Sequence, residues 1–260
     1  MDRKLITIGY SSLSNRVQKI VLPIQRDEVE ILIAVQGEYV DPIEREDVRM
    51  IYLDGFGAAK SRNVILREAG GEFLFFGDDD MRWDESGLMK TIEYLQINEN
   101  VDLVVCQSED EFCRLRKRYF QRKTKLSKYN SAKAATYEIA IRLASFHRKN
   151  ITFHECFGAG TKNFLGDEFI FISEATEADL TCEFLPWTIA IHPGPSSGTV
   201  YGTINDTKAR ASAIQQVFGS LSLFARLGFI LRNPFRFKSF LLIIRFVFRW
   251  FPKTDERNSQ

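Results

Sequence analysis

The sequence feature that most limits the fold is a strand-like run that ends in acid. Phe73-Leu-Phe-Phe76 leads through Gly77 straight into Asp78, Asp79 and Asp80. Bulky apolar residues with no polar alternation are covered on both faces, as in a parallel sheet with helices above and below. In such sheets ligands collect at the carboxyl ends of the strands. Three carboxylates held together there repel one another unless a cation neutralises them. A hard divalent ion, Mn²⁺ or Mg²⁺, bridging carboxylate and diphosphate oxygens is the expected partner. An Asp-rich turn that merely caps the next helix is the plain structural alternative.

The flanking sequence supports this sheet. Leu5 to Tyr10, Val29 to Val35, Val48 to Leu53, Val101 to Cys106 and Cys182 to Ile191 read as further strands. Gly57 to Ala69, stopped by Gly70-Gly71, and Leu88 to Leu95 read as helices, and Asn15 to Leu22 as a short helix ending at Pro23. This alternation predicts an α/β fold, with a Rossmann-like, mostly parallel sheet and helices on both faces. A hydrophobic share of 45% with 27% charged residues excludes global disorder. Thirty-five basic against 34 acidic residues exclude a dedicated nucleic-acid binder. Cys106, Cys113, Cys156 and Cys182 form no C-x-x-C pair and read as reduced thiols rather than a disulfide or zinc framework. The charged start carries no signal-peptide pattern, and no run reaches the roughly 18 apolar residues of a membrane span, so a cytoplasmic chain is expected.

Charge is nevertheless uneven. Phe112 to Tyr137 contains nine Lys or Arg residues and no acid, which reads as a solvated helix or loop, or as a rim that attracts phosphate. Between Asp206 and Asp255 there are again nine bases and no acid, interleaved with Phe, Leu and Ile. On a continuous helix Lys238, Arg245 and Arg249 would fall within about 40° of one another. That stripe beside a broad apolar face predicts amphipathic C-terminal helices lying on an anionic membrane surface. Packing on the domain, or on a second copy of the chain in a homodimer, is the alternative. The expected division is 1–205 for the α/β domain and 206–260 for the membrane-associating segment.

Upstream of the acidic strand stands Gly55-Phe-Gly-Ala-Ala-Lys-Ser-Arg-Asn63, a glycine-bearing loop opening a helix. Loop amides, Lys60 and Arg62 there are suited to face a nucleotide or its phosphates. Neither G-x-x-x-x-G-K-[ST] nor G-x-G-x-x-G is present. Read together, Gly57-Ala-Ala-Lys-Ser-Arg-Asn63 and the strand closing in Asp78-Asp-Asp80 resemble the family-2 glycosyltransferases, the inverting nucleotide-sugar transferases of the GT-A fold. The resemblance covers roughly Leu5 to Tyr201 and leaves the tail outside.

The resemblance implies a D-x-D pair at Asp78 and Asp80, with Asp80 on the metal and Asp79 near the ribose or donor sugar. It implies donor contacts from Arg62 and Asn63, and a nucleobase pocket at the ends of the first two strands, Gly9 to Ser12 and Ala34 to Gly37. Ser11 and Gln36 lie in that pocket; many relatives carry an acid where this chain has Gln36. The family's base, a carboxylate in an E-D pair starting a helix, aligns with Glu168, and its neighbour is Asp167. The two acids are exchanged relative to the usual order, so either is a candidate. Cys156-Phe-Gly-Ala-Gly160 is similar to the loop beside the donor sugar. His192, in Ile189-Ala-Ile-His-Pro-Gly, matches a histidine that helps bind the metal or diphosphate, and Ser196 or Ser197 would touch phosphate.

The function these residues imply is metal-dependent, inverting sugar transfer from a nucleotide-sugar donor to a lipid-linked or surface-glycan acceptor, peripheral on the inner face of the plasma membrane. A nucleotidyltransferase would need a basic glycine-rich loop after the first strand, and Gly9 to Asn15 holds one glycine and no Lys or Arg. A catalytically silent sugar-nucleotide or membrane-binding module is the third reading. No G-x-S-x-G motif supports a hydrolase.

Overall fold

β-Branched and aromatic residues build the sheet. The computed structural model describes residues 5–194 and 201–249. In chain order come β1 (Ile6–Leu13), a 3₁₀ turn over Ser14–Lys19, β2 (Val29–Gln36), β3 (Val48–Leu53) and α1 (Ala58–Glu68). Next are β4 (Phe73–Asp78), β5 (Arg82–Trp83), α2 (Glu85–Ile97), β6 (Leu103–Glu109), β7 (Thr124–Lys125), β8 (Ile139–Arg142) and α3 (Leu143–Lys149). The chain continues with α4 (Asp167–Glu177), β9 (Cys182–Ile191), α5 (Ile204–Phe218), α6 (Ser222–Arg232) and α7 (Phe240–Phe248).

The sheet runs β3-β2-β1-β4-β8-β6-β9-β5, with β7 on β9. Strands β1 to β4 are mutually parallel, as are β6 and β9, whereas β5, β7 and β8 run antiparallel to their neighbours. Strand order moves outward from β1 to β3 and then jumps back across β1 to β4. The crevice between the carboxyl ends of β1 and β4 is therefore the switch point where an open α/β sheet holds its ligand.

Alternation along each strand fills two cores. Ile6, Ile8, Tyr10, Phe73 and Phe75 face α2 through Leu88, Ile92 and Leu95. Leu32, Ala34, Leu74 and Phe76 face α1 and α4 through Ile65, Leu66, Phe171 and Ile172. Phe153 and Phe171 stack with ring centroids 4.0 Å apart, and Phe76 meets both edge-on. Each large buried side chain contributes about 1.5–3 kcal/mol of transfer energy, so these layers set the α1–β4–α4 geometry.

Three expectations need correction. In place of the helix expected over Asn15 to Leu22 there is a 3₁₀ turn over Ser14–Lys19, and the chain is already extended at Ile20, ahead of Pro23. The boundary at 205 falls inside α5, which is integral to the domain: Ala213 and Val217 pack on Phe157, Phe169 and Ile170 of the α4 side. The basic stripe is not one helix face. Lys238 precedes α7 and Arg249 terminates it in the left-handed conformation (φ 54°), leaving Arg245 alone of the three on the helix.

Residues Ile204–Arg232 are long and apolar enough by composition to cross a membrane, and 22% of their most apolar 18-residue stretch is buried. Gly219, at φ 51° and ψ −122°, interrupts them into helices of 15 and 11 residues. Either is short of the ~20 residues a span requires.

Candidate active site

Helical spacing brings the charged groups together beneath the switch crevice. On α1, Arg62 lies one turn before Ile65 and Leu66, so it shares the inward face and is buried. On α4, Asp167 and Glu168 stand four and three residues before Phe171, which places both acids above the aromatic core. Arg62 Nη1 donates to Asp167 Oδ2 in a short contact and lies 4.0 Å from Glu168 Oε1, while its Nη2 donates to Asp78 Oδ1 at 3.2 Å. One guanidinium thus ties the end of β4 to the start of α4. Gly158 covers Asp167 from above at φ +95°, and a Cβ there would come within 2.7 Å of Asp167 Oδ2.

The two neighbouring acids are placed differently. The Asp167 side chain is 3% exposed and that of Glu168 is 21% exposed, with the Thr136 hydroxyl donating to Glu168 Oε1 at 2.7 Å. Burial first, and the Glu168 charge second, push Asp167 up to about 8. Burial alone would also raise Glu168, but Arg62 and the Thr136 hydroxyl outweigh it and hold that carboxyl below its usual range. Burial and mutual repulsion thus raise Asp167, while Arg62 and Thr136 hold Glu168 down. Burial opposes the charge of Arg62 as well, and its three carboxylate neighbours more than restore it.

The other two aspartates meet different cations. Asp79 is buried, accepts from Ser12 Oγ at 2.9 Å and contacts Arg16 Nη2 at 2.7 Å. Asp80 contacts Arg16 Nη2 at 3.0 Å through Oδ2 and His192 Nε2 at 3.1 Å through Oδ1. The His192 contact chiefly, with Arg16 behind it, holds Asp80 down to about 2. Burial would lower His192, yet Asp80 raises it on balance. His192 Nδ1 bonds the Pro193 carbonyl at 2.7 Å, and the Tyr137 ring lies 4.8 Å away.

The remaining residues sort differently from expectation. Asn63 points away from the crevice: its amide bonds both the N–H and the carbonyl of Phe153, at 2.7 and 2.9 Å, and so clamps the segment that supports α4. Gln36 is buried, accepts from the Gly57 N–H at 2.7 Å and donates to Ser11 Oγ at 3.3 Å, joining β2 to the start of α1. Ser11 stays half-open at the end of β1. Arg62 faces carboxylates rather than open crevice. The Ala159 carbonyl accepts from the Ala58 N–H at 3.0 Å, which seats the Cys156 to Gly160 loop on α1. Ser196 and Ser197 lie outside the described residues.

The basic middle segment is largely spent within the protein. Arg114 pairs with Asp110, Lys117 with buried Glu138, Lys123 with Glu183 and Lys128 with Glu177. Arg116 donates to the carbonyls of His192 and Gly194. Arg16, Thr136 and Tyr137 are site residues that the sequence did not single out, whereas Ser12 lay in the expected nucleobase pocket and Arg116 in the expected basic rim. The loop read as free of Lys and Arg ends at Asn15, one residue before Arg16.

A family model for glycosyl transferase family 2 matches residues 15–167, more than half of the chain. No curated protein matches it. Among solved structures, the crystal structure of S. aureus TarS 1-349 superposes with a TM-score of 0.60 at 14% identity, covering 94% of this chain and 81% of that one. The same fragment in complex with UDP-GlcNAc gives 0.58 at 14% identity, covering 83% and 67%. Against the longer S. aureus TarS structure the TM-score is 0.60 at 14% identity over 90% of this chain, which spans 44% of that protein. At this identity the likeness shows the shared GT-A fold.

Proposed function

The chain belongs to glycosyl transferase family 2 and is a glycosyltransferase, and from that premise we propose a single-displacement transfer from a nucleoside-diphosphate sugar. The observation that carries this reading is the Arg62 bridge, which joins the aspartates of the ligand crevice to the acids of α4. A donor lying at the switch point has its diphosphate beside Asp78 to Asp80 and its anomeric carbon toward α4. Glu168 is the base: it is ionised, partly open and steadied by Thr136. It takes the proton as the acceptor oxygen bonds to the anomeric carbon and the carbon–oxygen bond to the diphosphate breaks. Asp167, buried against Arg62, anchors that guanidinium and so positions Glu168. TarS has been crystallised with UDP-GlcNAc and with UDP, which makes uridine-diphosphate sugars the first donors to test.

Asp80 and His192 present one carboxylate and one imidazole at the same opening, a donor set that suits Mn²⁺ better than Mg²⁺. Asp78 keeps one oxygen clear of Arg62. Among the described residues no group of three His, Cys, Asp or Glu side chains converges on one point, so diphosphate oxygens would complete the coordination. A bound ion would supply positive charge to offset the departing diphosphate.

The tail supports a peripheral position on an anionic membrane, with a lipid-linked or surface-glycan acceptor. Phe224, Leu231, Phe235, Phe240 and Phe248 are exposed on α6, α7 and the turn between them. Arg226 is buried among neutral acceptors, the Val247 carbonyl at 3.0 Å and Gln215 Oε1 at 3.4 Å. An apolar face with bases and no acid matches an interfacial helix pair better than an internal one.

Release of nucleoside diphosphate from a panel of sugar nucleotides, with Mn²⁺ and with chelator, tests the reaction. Donor-dependent turnover lost in Glu168→Gln supports it; full turnover in that variant removes Glu168 as base. For the tail, Phe224→Ser with Leu231→Ser and Phe235→Ser should release the protein from phosphatidylglycerol vesicles. Unchanged binding would assign this face to a second copy of the chain.

A further inference from the structure

We propose that Arg16 is a donor-binding residue whose guanidinium holds the diphosphate in the crevice between β1 and β4, an inference that rests on the glycosyl-transfer reading. The 3₁₀ turn over Ser14–Lys19 follows directly from β1, and β4 closes in Asp78 with Asp79 and Asp80 just beyond, so Arg16 and the acids face each other across the switch point. A nucleotide seated there passes between them.

The arginine is set for this contact. Its Nη2 alone serves both carboxylates, at 2.7 Å from Asp79 Oδ1 and 3.0 Å from Asp80 Oδ2. Asp79 is in turn buried and held by Ser12, so the guanidinium is anchored at one corner. A guanidinium has five N–H donors, and those on Nε and Nη1 carry no protein bond among the described residues. The side chain is 39% exposed, which leaves that edge open to a ligand. Two parallel N–H groups match a phosphate's paired oxygens, the geometry in which arginine outperforms lysine.

The neighbouring bases are turned elsewhere. Arg62 is buried against Asp78 and Asp167, Lys60 donates to the Asp54 carbonyl, and Arg116 holds the carbonyls after β9. A diphosphate brought beside three carboxylates meets strong repulsion. Arg16 is the cation already seated at that point with unspent donors.

The test is titration of wild type, Arg16→Gln and Arg16→Lys with UDP, GDP, ADP and CDP and with the matching nucleosides, in chelator and again with Mn²⁺. Arg16→Gln should weaken the preferred diphosphate about 10- to 100-fold in both conditions and leave its nucleoside within about twofold. Arg16→Lys should fall between, since it keeps the charge and loses the fork. Diphosphate affinity equal to wild type, or nucleoside and diphosphate weakened alike, overturns the proposal. If Arg16→Gln does not fold, Arg16→Lys decides by the same ratio. Failure of the wild type to bind any of the four diphosphates overturns the proposed nucleoside-diphosphate-sugar donor, and this inference with it.

Discussion

Replacing Arg62 by Met removes the single cation that three acids share. Its Nη2 reaches Asp78 at 3.2 Å, its Nη1 makes the short contact to Asp167, and Glu168 lies 4.0 Å away. Breaking a buried ion pair from one side costs about 3–5 kcal/mol, because the remaining charge stays buried without a partner. Two lost charge-assisted hydrogen bonds, at about 1.5–3 kcal/mol each, reach the same range. A chain of this size loses about 2–4 °C of Tm per kcal/mol, so Arg62→Met should melt some 6–20 °C lower near neutral pH. Lysine can meet only one of the two carboxylates, and Arg62→Lys should cost about half as much.

The cost must also depend on pH. Without Arg62, burial leaves Asp167 and Glu168 raised above their unfolded values. Stability linked to such groups is fully present below about pH 4 and is lost as pH rises through the folded value. The gap between wild type and Arg62→Met in urea unfolding should therefore widen from pH 4 to pH 8. A cost below about 1 kcal/mol at pH 7, a gap independent of pH, or equal losses for Lys and Met would refute the shared-cation account.

Other outcomes follow from the same geometry. Glu168→Gln should lower kcat by about 10²–10⁴ with donor affinity intact, whereas Asp167→Asn, a near-isosteric change at an acid covered by Gly158, should keep turnover within about tenfold in the same assay. The pair of Asp80 and His192 should contribute about 0.5 kcal/mol, discounted because Asp80 is half-exposed. Asp80, depressed to about 2, contributes above its unfolded pKa and loses that share as pH falls through 2. His192, raised, contributes below its unfolded pKa of 6.5 and loses that share as pH rises through its folded value. His192→Gln should thus differ from wild type in denaturant midpoint near pH 5 and converge with it above pH 8. Phe171→Ala empties the stack under the acids and should cost about 3–5 kcal/mol in urea unfolding.

The sheet was legible because its cause is local. Continuous apolar runs such as Ile31 to Val35 and Phe73 to Phe76 can only be strands covered on both sides, and every strand expected from such patterns exists. The short strands β5, β7 and β8 were not legible. Two or four residues carry no periodicity, and these are held by partners distant in sequence, as Ile141 is by Leu74 and Leu103. The tail misleads for a related reason. A single helical phase from Lys238 to Arg249 is broken at both ends: Ser239 caps α7 through the Leu242 N–H and Arg249 ends it, so the outer charges leave the helix.

At the site, residue types announced the acids but not their partners. Three aspartates after a strand are visible in any reading. That Asp79 turns inward to Ser12 and Arg16 while Asp80 turns outward to His192 depends on how β1, β4 and β9 meet. Arg62 was legible as a base on a helix beside the ligand crevice, yet its charge is spent on the acids of α4, more than a hundred residues away. The exchange of Asp167 and Glu168 relative to the family order also acquires a physical meaning. The first helical position is covered by Gly158, and the following one faces outward past Thr136. A short acid suits the covered position because its carboxylate reaches Arg62 without entering the crevice. The longer acid carries its carboxylate one methylene farther, past Thr136 toward the opening. Reversing them, as Asp167→Glu with Glu168→Asp, would drive a methylene into Gly158 and draw the second carboxylate back from the opening.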